Sequence, residues 1–177
     1  TPFRSDQKEI EGELIYKYSF RAAMLKGYIK KLQATYVAPE EIYFTYKGSE
    51  QRHALDSVLK LKEEEWFSRG VALSPKCNQS IVDASLDKLE LLRQTGTRHQ
   101  LIAVACSVSH AKQIRSLYAE RGYEVSELHS AMSPEKQEEV LQKLRSGLLD
   151  CIIQVQMLGE GFDHPHLSVA AIFRPFR

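Results

Sequence analysis

Three short apolar runs in the second half of the chain constrain the fold more than any other sequence feature. Leu101–Cys106 and Val169–Phe173 are continuously apolar, and Cys151–Val155 is apolar except for Gln154. Runs of this length without regular polar alternation predict strands that are covered on both faces, as in a parallel sheet between layers of helices. A chain of 177 residues is long enough for one domain of this kind, with an appendage.

Helix signals separate these runs. Ser109 stands where it could cap one helix, and Ser133 followed by Pro134 predicts the start of another. Tyr123–Leu128 predicts a short strand between the two helices. The alternation of strands and helices with short links predicts an α/β fold, in which helices flank a mostly parallel sheet.

The first half of the chain is less regular. Glu41–Lys47 predicts a strand, and the apolar spacing predicts helices over Ser49–Arg69 and Ser80–Gln94. Residues 17–36 carry five basic side chains, no acidic ones and several aromatic rings. This stretch either contacts nucleic acid by charge and stacking, or forms a helix whose aromatic rings pack on the domain while its lysines face solvent.

Composition excludes several classes of protein. Lysine and arginine number 24 against 23 aspartates and glutamates, which excludes a globally basic nucleic-acid coat protein but not a local basic face. The three cysteines are far apart, which argues against a zinc site or a disulfide scaffold, and Cys106 and Cys151 are expected to be buried. The absence of a long apolar stretch or leader predicts a cytoplasmic protein without a membrane partner.

Polar loops follow three of the predicted strands, where ligands of parallel α/β sheets collect. Residues 107–109 and 129–132 offer hydroxyls and free amides at helix starts, which suits either a phosphate or simple helix capping. In residues 157–165, Gly159 and Gly161 permit a tight backbone and Asp163 could accept ribose hydroxyls, although such clusters also form ordinary turns. His164 and His166 lack further ligands, so no metal site is predicted.

No catalytic centre is evident in the sequence. The phosphate-binding pattern G-x-x-x-x-G-K-[ST], the dinucleotide fingerprint G-x-G-x-x-G and the G-x-S-x-G elbow are all missing from these 177 residues. We therefore expect the chain to hydrolyse nothing by itself. The start at Thr1, and the end just after the apolar run Val169–Phe173, lead us to expect a piece of a longer polypeptide.

The stretch Leu101–Arg177 resembles the second RecA-like lobe of superfamily 2 helicases and translocases of the DEAD/DEAH type. Leu101–Ser107 resembles motif IV, and Val155–Pro165 resembles motif V in the form found in restriction-enzyme motor subunits. Arg174–Arg177 resembles the approach to motif VI, and Thr1–Asp6 resembles the tail of motif III. The chain departs from many relatives at motif V, because Gln154 and Gln156 stand near positions that often hold Thr or Asp.

The resemblance implies a three-layer RecA-like lobe over residues 41–177, truncated before motif VI, after an interlobe connector over residues 1–40. It implies that this lobe closes over ATP while the first lobe of the same polypeptide holds the phosphates and Mg²⁺. Gly161 and Asp163 would then face the nucleotide, with Asp163 toward the ribose. Ser107, Ser130 and Gln156 would line a groove for the backbone of a nucleic acid, DNA rather than RNA. The alternative is a stand-alone, non-catalytic module that binds a nucleotide or a protein.

Overall fold

The computed structural model describes residues 18–31, 33–35, 37, 41–46, 49–54, 72–158 and 162–174. The chain divides into two compact units, Thr1–Tyr36 and Val37–Arg177. In the first unit, helix α1 (Phe20–Leu25) is capped by Ser19, whose Oγ accepts a hydrogen bond from Ala22 N at 3.1 Å. None of the residues of α1 is buried.

The second unit begins with an antiparallel pair of strands, β1 (Glu41–Tyr46) and β2 (Ser49–Ala54). β1 confirms the predicted strand. The helix predicted over Ser49–Arg69 is wrong in its first six residues, and residues 55–69 lie outside the described part of the chain. The apolar spacing that predicted this helix starts only at Ala54, so nothing in residues 49–53 opposes pairing with β1.

Four further strands form the central sheet: β3 (Gln100–Val104), β4 (Val125–His129), β5 (Cys151–Val155) and β6 (Leu167–Ile172). Their spatial order is β4-β5-β3-β6, and every pair in this sheet is parallel. The predicted parallel sheet is therefore confirmed. β5 has the predicted bounds, and the other three strands begin and end one or two residues from theirs.

Among the described residues, α2 (Pro75–Arg93) precedes β3, α3 (Val108–Ala119) connects β3 to β4, and α4 (Pro134–Arg145) connects β4 to β5. α2 begins five residues before the predicted start at Ser80, because Ser74 and Pro75 form the same start signal that Ser133 and Pro134 give to α4. The predicted cap of α3 is also corrected. Its cap is Ser107, and Ser109 lies inside the helix.

The helices form layers on both faces of the sheet. Helices α2 and α3 pack on one face against residues that include Leu101 and Ile153, whereas α4 packs on the other face near Ile152. Neighbouring residues of β5 thus serve opposite faces, which is why its run is apolar throughout. This confirms the three-layer RecA-like arrangement and the burial of Cys151. Cys106 is only half-buried, because it lies beyond the end of β3, where Sγ donates to Phe173 O at 3.2 Å.

Candidate functional site

Three of the predicted site residues share the carboxyl edge of the sheet. Ser107, Ser130 and Gln156 follow β3, β4 and β5, and these strands are neighbours in the order β4-β5-β3. The loop that holds Gln156 therefore lies between the other two. Ser130 and Gln156 are exposed and Ser107 is half-exposed, so all three can be reached by a ligand.

Ser107 joins the end of β3 to α3. Its Oγ accepts a hydrogen bond from His110 N at 3.2 Å and lies 3.1 Å from Ser109 Oγ. Capping therefore accounts for one acceptor position of the Ser107 hydroxyl, and either serine can be the donor in its contact with Ser109. The capping and phosphate-binding interpretations of this serine are compatible with each other.

His110 lies buried beneath Ser107. Cys106 N donates a hydrogen bond to His110 Nδ1 at 3.3 Å, and His110 Nε2 lies 3.0 Å from Asn78 Nδ2. Burial lowers the pKa of His110 below its ordinary value. A neutral, buried imidazole thus supports the loop after β3. The rings of His110 and Phe173 meet edge to face, with an interplanar angle of 88°.

The loop after β5 is held by a buried glutamine. Gln154 Oε1 accepts hydrogen bonds from Met157 N at 2.9 Å and Leu158 N at 3.4 Å. Gln156, which lies between Gln154 and Met157 in the chain, adopts φ +54°. This is the left-handed region that residues other than glycine rarely occupy. Sequence reasoning did not assign Gln154 this positioning role. The sequence feature that indicated this role is that Gln154 is the one polar residue in the run Cys151–Val155.

Ser130 lies in the turn between β4 and α4. Met132 N donates to His129 O at 3.1 Å, and Gln137 Nε2 donates to Met132 O at 3.0 Å, so backbone and side chain both close this turn. Gln137 was not anticipated from the sequence. Its place in the first turn of α4 lets it reach back to the loop, as acceptors and donors at that helix position commonly do.

Asp163 stands apart from the other three. Its neighbour His164 bonds to Gln100 at the opposite, amino end of β3, where His164 Nε2 lies 2.7 Å from Gln100 Oε1. The backbone agrees, since Gln100 N donates to His166 O at 2.8 Å. The five residues of β3 span about 13 Å, which separates this end from the carboxyl edge. Asp163 is exposed, and Gly161 lies outside the described residues.

His164 is engaged in structure. Gln100 Nε2 donates to Leu144 O at 2.9 Å and to Leu149 O at 2.7 Å, so Oε1 must face His164 and receive its Nε2 proton. Within the described ranges, no group of three His, Cys, Asp or Glu residues is arranged to hold a metal ion. Of the helices described, none is both long and apolar enough to cross a membrane.

Comparison with protein families places this geometry in context. The family described as "Helicase conserved C-terminal domain" matches residues 83–177, which include β3 to β6 and every predicted site residue. Among solved structures, the Hef helicase domain of Pyrococcus furiosus superposes with a TM-score of 0.47 at 16% identity, over 54% of this chain and 20% of that one.

The chain is also similar to curated proteins named UvrABC system protein B. UvrABC system protein B of Agathobacter rectalis is 26% identical over 114 residues, or 63% of this chain and 17% of that protein. The protein of the same name from Gloeothece citriformis is 30% identical over 102 residues, or 56% of this chain and 15% of that protein. The chain thus matches only a small part of each relative's length.

Proposed function

This chain belongs to the family of helicase conserved C-terminal domains, the second RecA-like lobes of superfamily 2 helicases, and from that premise we propose that it serves an ATP-dependent motor that moves along DNA. In this role the lobe contacts the nucleic-acid backbone at one end of its sheet and the nucleotide at the other. By itself the 177-residue chain is expected to hydrolyse no ATP.

The division of polar groups between the two ends of one sheet is the observation that carries this proposal. Ser107, Ser130 and Gln156 offer hydroxyl and amide donors at the carboxyl edge. Such neutral donors suit phosphate and sugar oxygens, and they select a backbone rather than a base sequence. A motor that steps along a strand needs contacts of this sequence-independent kind.

Nucleotide contact is proposed for the opposite end. Asp163 is exposed, and its backbone is held by the buried pair His164 and Gln100. An exposed carboxylate at this position can accept hydrogen bonds from ribose hydroxyls, as acidic residues do in other nucleotide folds. Gly161 is proposed to let the backbone approach the nucleotide.

The remaining parts of the ATP site are assigned to a first motor lobe of the same polypeptide. As the resemblance to superfamily 2 helicases implies, this lobe would contact the ribose through Asp163. The first lobe would hold the phosphates and Mg²⁺, and phosphoryl transfer from the bound nucleotide would supply the energy for movement. Closure of the two lobes would then bring Asp163 to the nucleotide.

One chain segment connects the two proposed contacts. Met157 lies at the carboxyl edge, where Gln154 holds its backbone, and His164 lies at the amino end, where Gln100 holds its side chain. Both anchors are buried glutamines whose hydrogen bonds fix the segment at its ends. We propose that this segment relates nucleotide binding to the grip on DNA. DNA is preferred over RNA because motif V resembles the restriction-motor form.

The test is nucleic-acid-stimulated ATP hydrolysis by the gene product that carries this lobe together with a first lobe. We expect Asp163→Asn to raise the KM for ATP several-fold and Gln156→Ala to raise the DNA concentration at half-maximal stimulation. Each variant should leave the other parameter within twofold. Gln113→Ala, on the exposed face of α3, is the matched control. A gene product without ATPase activity would sink the proposal and favour a stand-alone binding module.

A further inference from the structure

The outer edge of β4 is open in the part of the chain that the structure describes. In the order β4-β5-β3-β6, β4 lies at the end of the sheet and pairs only with β5. Glu124 O accepts hydrogen bonds from Asp150 N at 2.8 Å and Cys151 N at 3.1 Å. Because backbone groups alternate along a parallel ladder, Val125, Glu127 and His129 turn their N–H groups away from β5.

A groove runs along this edge between α3 and the first turns of α4. It encloses about 420 Å³, and we call it the β4 groove. Its walls and floor comprise both polar and apolar side chains: Lys112, Arg115, Ser126, Glu127, His129, Ala131, Met132, Ser133, Lys136 and Val140. The floor is thus a strand edge whose amides have no ladder partner on this side.

Charge in the β4 groove is predominantly positive. Lys112 stands on the α3 wall and Lys136 on the α4 wall. The carboxylate of Glu127 is engaged by Arg115, with 3.3 Å between Arg115 Nε and Glu127 Oε1. The lysines on the two walls are therefore the cations available to an occupant of the groove.

Two polar atoms in the floor also lack hydrogen bonds, although Glu127 Oε2 lies 3.7 Å from His129 Nε2. Glu127 Oε2 and His129 Nδ1 are buried and have no hydrogen bond to any described residue. Native proteins leave few such atoms unsatisfied, and a missing hydrogen-bonding group is a common reason. Both atoms belong to residues whose N–H groups face the open edge.

We propose that the β4 groove binds an extended acidic segment of a partner protein, which adds to β4 as a further strand. Strand addition satisfies the amides of Val125, Glu127 and His129, and acidic side chains of the segment lie against Lys112 and Lys136. A nucleic acid fits these features less well. It has no counterpart to the amide ladder.

A synthetic peptide that alternates glutamate with valine is the probe, and its fluorescence anisotropy reports binding to the 177-residue chain. We expect the double variant Lys112→Glu with Lys136→Glu to weaken binding at least tenfold. Arg145→Glu, a charge reversal on the opposite face of α4 from Lys136, should alter it less than twofold. A peptide that is N-methylated at alternate residues should also bind at least tenfold more weakly, because it cannot extend the ladder.

Amide hydrogen exchange identifies the mode of binding. The acidic peptide should slow exchange at Val125, Glu127 and His129, whereas Ser126 and Leu128 already bond to β5 and should not change. Binding of oligo-dT in the groove in preference to the peptide would overturn the proposal in favour of nucleic acid. Failure of both probes would also overturn it, and would mean that the charges merely protect a bare edge from pairing. Neither outcome depends on ATP hydrolysis, so this proposal stands or falls independently of the motor.

Discussion

His164 Nε2 donates a hydrogen bond to Gln100 Oε1 at 2.7 Å, and this contact anchors the loop that follows β5 to the amino end of the sheet. The amide of Gln100 is 1% exposed and uses its nitrogen on two carbonyl groups at the end of α4 and before β5. One buried side chain therefore joins three segments that are distant in sequence. The position of Asp163 depends on this junction.

Replacing Gln100 with leucine should lower the free energy of unfolding by about 2–4 kcal/mol, because two carbonyl groups and the His164 N–H would be left buried without partners. Urea denaturation followed by circular dichroism measures the change. Gln142→Leu is the matched control, since the Gln142 amide is exposed and reaches only Glu138. A loss below about 0.5 kcal/mol for Gln100→Leu would contradict the role of this junction.

Gln156→Gly should raise the free energy of unfolding by up to about 1 kcal/mol, since glycine adopts a φ of +54° without steric cost. If the Gln156 side chain contacts nucleic acid, the same variant should bind single-stranded DNA more weakly. Stability and affinity would then move in opposite directions, which a merely structural role does not predict. Gln113→Gly in α3 provides the comparison, because glycine inside a helix should destabilise by about 1 kcal/mol.

Stability should depend on the protonation of His110 under mildly acidic conditions. Burial lowers the pKa of His110 in the folded chain, so the unfolded chain takes up a proton first as the pH falls below about 6.5. The stability contribution is complete above that pH and is lost progressively as the pH falls toward the lower pKa of the folded state.

His110→Asn removes this titration, so its free energy of unfolding should fall less steeply than that of the parent between about pH 7 and pH 5. Urea denaturation at several pH values measures both slopes, and the other titrating groups are common to the two proteins. Parallel slopes would show that His110 is not the group that titrates.

Thiol alkylation should separate the three cysteines by burial. Burial, with Asp150 nearby, raises the pKa of Cys151 to about 12, and the thiolate is the reactive form. Cys77 is also buried, whereas Cys106 is half-exposed. In the folded chain iodoacetamide should modify Cys106 first, and Cys151 only after denaturation, as intact mass and peptide mapping would show. Fast labelling of Cys151 in the folded chain would contradict its place in the central strand.

Local signals predicted most elements of the second half of the chain. Apolar runs identified the strands, because a strand covered on both faces cannot hold exposed polar residues, and Ser133 with Pro134 marked the start of α4. The same start signal at Ser74 and Pro75 was passed over. The helix prediction for residues 49–54 was wrong for another reason, since pairing with β1, not apolar periodicity, determines their conformation.

The sequence by itself determined the layers, since the spacing of apolar residues states which faces must be buried. It also located Ser107, Ser130 and Gln156 at strand ends, which a parallel sheet necessarily brings to one edge. Only the tertiary structure decided that β4 lies at the open edge of the described sheet and that Asp163 lies at the far end from Gln156. The contacts responsible join Gln100 to residues more than 40 positions away, and no local pattern encodes a hydrogen bond between such distant segments.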